Sequence, residues 1–197
     1  MAVSFLPLMT FSFVGSITPG PNNLMLTSSG VNYGFRRTMP HFLGVYFGFL
    51  FMLSLVCLGL GSVFKIYPQI QDVLRYVGSA YLLYLAYRIA RAGAVNNKET
   101  EKPFSFFEAA MFQYVNPKAW MMAGTIASTF IVGNGNIYLD AAFAVGAHGL
   151  VSFPCVISWV LFGSLIGKFL NNPQLRKIFN FSMAGLLVLT TWFIFAG

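Results

Sequence analysis

At 197 residues, with 57% hydrophobic and only 9% charged residues and a mean hydropathy of +0.70, the chain is too apolar for a soluble domain, which carries roughly 25% charged residues. It reads as an all-α polytopic membrane protein, a single transmembrane domain over residues 1–197 lying in a lipid bilayer. The net charge of +7 does not argue for nucleic acid, because the basic residues stand in ones and twos between apolar segments, with no basic run alternating with stacking aromatics.

Apolar sequence begins at Val3 and the first basic residue is Arg36, so the N-terminus lacks the basic region of a cleavable signal. The first predicted span, Val3–Ser28, carries a proline-rich polar knot, Thr18-Pro19-Gly20-Pro21-Asn22-Asn23. A loop follows with Arg36 and Arg37, then a second span, Phe42–Phe64, in which Gly44 and Gly48 form a helix-packing face. His41, beside Pro40 at the start of that span, is expected at the interface. The third span, Val73–Ala90, is the weakest, with Arg75 and Arg88 near its ends, where they can snorkel. A hydrophilic linker, residues 92–103, separates it from the fourth span, Phe107–Phe130, which holds the second knot, Asn116-Pro117-Lys118-Ala119-Trp120. Spans five and six are Ile137–Phe162 and Ile178–Ala196. Each approaches or exceeds the 18–20 or so residues that cross about 30 Å of hydrocarbon.

Nine basic residues (Arg36, Arg37, Arg88, Arg91, Lys98, Lys102, Lys168, Arg176 and Lys177) fall on one side of this arrangement, and only Lys65 and Arg75 on the other. The positive-inside rule therefore puts the loops after spans one, three and five in the cytoplasm and both termini outside. The linker divides the chain into halves of about 1–91 and 104–197. Three spans are an odd number, so a duplicated half must be inverted, which predicts six helices as two inverted three-helix halves with helices 1 and 4 broken by proline. Pro21 and Pro117 are 96 residues apart, and that offset sets span two against span five, although the stretch before Phe11 has no apolar counterpart.

Lipid tolerates a broken helix only where protein or a watery cavity satisfies the freed backbone. Paired breaks in two halves point to a transporter's binding site. A helix restarting after Pro21 would turn its positive dipole end to the break and attract a carboxylate. Thr18, Gly20, Pro21, Asn22, Asn23, Asn116, Pro117 and Lys118 are the substrate-binding candidates. Against this stands a plain proline kink, with asparagines bonding neighbouring helices. Lys118, the basic residue deepest in a span, can hold a substrate carboxylate, snorkel to the cytoplasm or pair with Glu108. His148, mid-span, is the best candidate for proton coupling near neutral pH, and the other reading is a packing histidine. Asp140 is a second coupling candidate, near the outer end of span five, where a solvated cap is the alternative. Trp159 and Tyr46 can line a pathway, against the reading of core or lipid contact, which the composition favours.

Cys57 and Cys155 lie in apolar segments without a CxxC spacing and read as small buried hydrophobes. No metal-ligand cluster, cofactor motif, GxSxG, HExxH or mid-span acid pair is present, so neither an enzyme nor a cofactor is expected. A non-transporting membrane sensor or assembly subunit is the alternative to a transporter, and a homo-oligomer is compatible with either.

The two knots, together with Gly34-Phe35-Arg36-Arg37 and Tyr81-Leu82-Leu83-Tyr84-Leu85, resemble the lysine exporter family, which includes the homoserine and threonine resistance proteins. The pattern is most similar to the branch exporting cysteine and O-acetylserine. The resemblance implies export of a small amino acid across the bacterial inner membrane, driven by protons. Many members carry an acid just after the glycine matching Gly48, where this chain has Phe49.

Overall fold

A computed structural model describes residues 5–60, 66–67, 69–92, 102–131, 136–170 and 172–196. Most of the predicted linker (93–101), the end of the second predicted span (61–64) and Lys65 lie outside them. The described residues form seven α-helices and no strand. These are α1 (Phe5–Ile17), α2 (Pro21–Cys57), α3 (Gln69–Arg91), α4 (Phe106–Phe112), α5 (Pro117–Phe130), α6 (Ile137–Phe169) and α7 (Pro173–Ala196), with a 3-10 turn at Gln113–Val115. Among them α2, α6 and residues Pro173–Phe195 of α7 are long and apolar enough to cross a membrane.

The expected loop between the first two spans is a correction. Helix continues from Pro21 to Cys57 with one non-helical residue, Gly34, at φ 77° and ψ 171°. A positive φ is sterically open to glycine, so one residue suffices for the turn. The chain reverses there: Ser29 Oγ and His41 Nδ1 are 3.0 Å apart, whereas twelve residues of straight helix would separate them by about 18 Å. His41 is fully buried inside this reversal, against Phe104, rather than interfacial.

Small residues let the arms of α2 approach their neighbours closely. In the first arm, a Cβ on Gly30 would lie 2.7 Å from the carbonyl oxygen of Val160 in α6. In the second, a Cβ on Gly48 would lie 2.6 Å from Ala110 Cα in α4, and one on Gly44 would collide with the Phe106 carbonyl, so the expected glycine face is a packing face. Helix α3 packs chiefly on α7, and Asn32 and Asn180 exchange amide hydrogen bonds of 2.8 and 3.1 Å between α2 and α7.

Ser105 and Glu108 start α4 as a reciprocal capping box. Glu108 also pairs with Arg88 of α3 at 2.7 Å, so it is not the partner of Lys118. Cys57 and Cys155 are free and buried.

Candidate functional site

Both proline knots break their helices, and in both the proline becomes the first residue of the new helix. There its missing N–H costs nothing and its fixed φ suits the turn. At the first break α1 ends at Ile17 and α2 restarts at Pro21 behind Gly20, which has no side chain to cap the amides of Asn22 and Asn23. At the second, a 3-10 turn ends at Val115, and Asn116, with β-region φ and ψ, caps α5 by accepting from the Lys118 N–H at 3.2 Å.

The two breaks touch. The Lys118 ammonium donates to the Thr18 carbonyl at 2.8 Å, to Thr18 Oγ1 at 2.9 Å and to the Pro19 carbonyl at 3.2 Å. It caps the end of α1 from across the molecule and does not snorkel away. Asn23 works on the same helix end, its Nδ2 donating to the carbonyls of Ser16 at 3.0 Å and Thr18 at 2.8 Å. Asn22 turns to the other break: its Nδ2 donates to Gln113 Oε1 at 2.8 Å, and Gln113 Nε2 donates back to Asn22 Oδ1 at 3.2 Å. The Lys118 and Asn22 bonds join residues 91 to 100 positions apart, more than a simple kink requires.

Around the junction lies an open cavity of about 520 Å³, counting the solvent space at its mouth. Gly20, Pro21, Asn22, Asn23, Asn116 and Lys118 line its polar side. Tyr46, Phe49, Met122, Val156, His148 and Ser152 line the rest. Pro117 is not part of the lining, and Thr18 acts through the oxygens that hold Lys118. His148 is buried, with Nδ1 sharing a 3.0 Å hydrogen bond with Ser12 Oγ and its ring centroid 4.8 Å from that of Phe49. Asp140 is not at the cavity: it lies in the first turn of α6, eight residues before His148, or about 12 Å along the axis.

Sequence reasoning missed two contributors. Gln113, fully buried, holds Asn22, and its signal was a lone amide one turn before Asn116. Ser12 fixes His148, and it was one small hydroxyl in an apolar helix. Tyr46 takes the less favoured of its two readings: it lines the cavity, and its hydroxyl donates to the Gly149 carbonyl at 3.1 Å.

Comparison with known proteins agrees with the membrane character. The chain is 36% identical over 124 residues to the cysteine/O-acetylserine efflux protein of Salmonella paratyphi A (strain ATCC 9150 / SARB42), a match covering 62% of this chain and 63% of that protein, just under two thirds of its length. It is 30% identical over 183 residues to the protein of the same name in Escherichia coli (strain K12), covering 91% of each. No solved structure matches. Residues 13–195 match the family described as LysE type translocator, and the chain belongs to that family of membrane translocators rather than to any class of enzyme.

Proposed function

We propose that the chain exports small neutral amino acids or their derivatives, of the cysteine and O-acetylserine kind, across the bacterial inner membrane. The observation that carries this reading is the meeting of the two helix breaks at one cavity, with an ammonium and several amides on its polar side. The open amides of Asn22 and Asn23 and the Lys118 ammonium hold the substrate carboxylate, while Asn116 and the Asn22 carboxamide orient its polar groups. The names of the Salmonella and Escherichia relatives support the substrate class.

The transport cycle is alternating access between two inverted halves of three spans, about 1–91 and 104–197. Three contacts support the inversion. Helix α1 packs on α6, as α4 packs on the second arm of α2, and α3 pairs with α7. Each exchange of halves maps one contact onto another, and the halves then rock about the shared cavity. With the basic loops inside, both termini face the periplasm. Proton coupling runs through His148, because it sits at the cavity beside Phe49, whereas Asp140 does not.

The test is uptake of labelled cysteine and O-acetylserine into inside-out vesicles. Wild type accumulates them, and Asn22→Ala and Lys118→Ala lose most of the uptake; full activity in both variants removes the site assignment. Collapse of the imposed pH gradient stops accumulation, and indifference to that collapse removes the proton. A chain that binds these compounds and moves none of them is a sensor.

A further inference from the structure

The cavity offers a substrate carboxylate several partners and a substrate ammonium no formal charge. Of the five acidic residues in the chain, Asp72, Glu108 and Asp140 are described, and none lines the cavity. An amino acid that enters as a zwitterion still needs acceptors for three N–H groups.

A set of three acceptors is present and already holds an ammonium, that of Lys118. The Thr18 carbonyl, Thr18 Oγ1 and the Pro19 carbonyl surround Nζ at 2.8, 2.9 and 3.2 Å. Two of these oxygens are the carbonyls that directly follow the C-terminal end of α1, at the negative end of the helix dipole, and the Thr18 carbonyl also accepts from Asn23 Nδ2 at 2.8 Å. Both residues are exposed, so the nest is open to a ligand. The Lys118 stem lies along Gly20, which lines the cavity: a Cβ there would be 2.8 Å from Lys118 Cδ and 3.1 Å from Nζ. The nest and the cavity therefore adjoin at Gly20, and a four-carbon stem lets the ammonium leave without any movement of the backbone.

We infer that the Thr18 and Pro19 oxygens form the substrate's ammonium subsite, which Lys118 fills as a tethered stand-in while the cavity is empty. An arriving zwitterion gives its own ammonium to the nest and its carboxylate to Lys118 and the α2 N-terminus. One lysine thereby changes partner from backbone carbonyl to substrate carboxylate, and the end of α1 holds an ammonium at every stage. The inference rests on the export reading for the identity of the zwitterion.

Three probes with one side chain separate the groups: serine, ethanolamine (ammonium without carboxylate) and N-acetylserine (carboxylate without ammonium). Binding is measured by calorimetry on the full chain in lipid nanodiscs. Wild type binds serine and binds ethanolamine poorly, because nothing draws Lys118 out of the nest. In Lys118→Met the nest is empty and ethanolamine affinity rises by about tenfold or more, one charged hydrogen-bonded contact. Unchanged ethanolamine affinity in Lys118→Met overturns the subsite. Should that variant not fold, Thr18→Val decides: serine weakens about tenfold and N-acetylserine is unaffected, whereas equal weakening of both overturns the subsite. Failure of the export reading looks different, because wild-type vesicles then accumulate no amino acid while ethanolamine still distinguishes Lys118→Met from wild type.

Discussion

The two breaks begin alike, each with proline as the first residue of a new helix, and end in opposite states. The second closes on itself: the Asn116 side chain takes the Lys118 N–H, and its carbonyl takes the amides of Ala119 and Trp120. The first stays open: its cap is Gly20, which can supply no side chain, so the Asn22 and Asn23 amides face the cavity uncapped. One residue type at one position, asparagine or glycine, separates a capped helix start from an uncapped one. The closed break then helps the open one, because Lys118 reaches over to hold the broken end of α1.

Closing the first break breaks the comparison most severely. Gly20→Ser supplies the missing cap and places a Cβ against the Lys118 stem. Uptake into vesicles is expected to fall at least tenfold, while the thermal midpoint changes little, since serine in place of glycine at a cap contributes only a few tenths of a kcal/mol. A fall in both would make Gly20 a matter of packing alone.

Separating the breaks comes next. Gln113→Leu leaves the Asn22 amide without its partner, at a cost of about 1–3 kcal/mol. Both melting temperature and uptake are expected to drop. Adding Asn22→Leu recovers much of the stability and none of the uptake, which a double-mutant cycle reads directly. Opening the second break is milder: Asn116→Ala removes a cap and is expected to lower stability by about 1 kcal/mol, measured by denaturation in detergent. The smallest effect belongs to His148, the proposed coupling partner. His148→Gln keeps the Ser12 contact within reach, so binding of cysteine changes little while accumulation loses its dependence on the pH gradient. Unaltered gradient dependence would remove His148 from the cycle.

Much of this contrast was legible before any coordinates. The proline breaks in the two knots and a glycine face at Gly44 and Gly48 are local signals, and each depends on residues within a turn or two. Helix boundaries from composition also came close, as with Ile137 for α6. Gly34 was read only as part of a loop, because a positive φ leaves no periodic trace. Which amide meets which was not legible. Asn22 and Gln113 are 91 residues apart, and Ser12 and His148 are 136 apart, so tertiary packing, which no local pattern encodes, decides those partners. Glu108 shows the same limit: sequence offered it to Lys118, and the fold set it beside Arg88 of α3 instead.

The central claim, that the first break is the open binding end, is tested most directly by amide hydrogen exchange at single residues. With the cavity empty, the Asn22 and Asn23 amides are expected to exchange much faster than the capped Lys118 amide. Saturating O-acetylserine slows Asn22 and Asn23 by at least about tenfold, the protection that one good hydrogen bond confers, and leaves Lys118 unchanged. Equal protection of the two breaks in the empty protein, or slowing at Lys118 alone, would contradict the account.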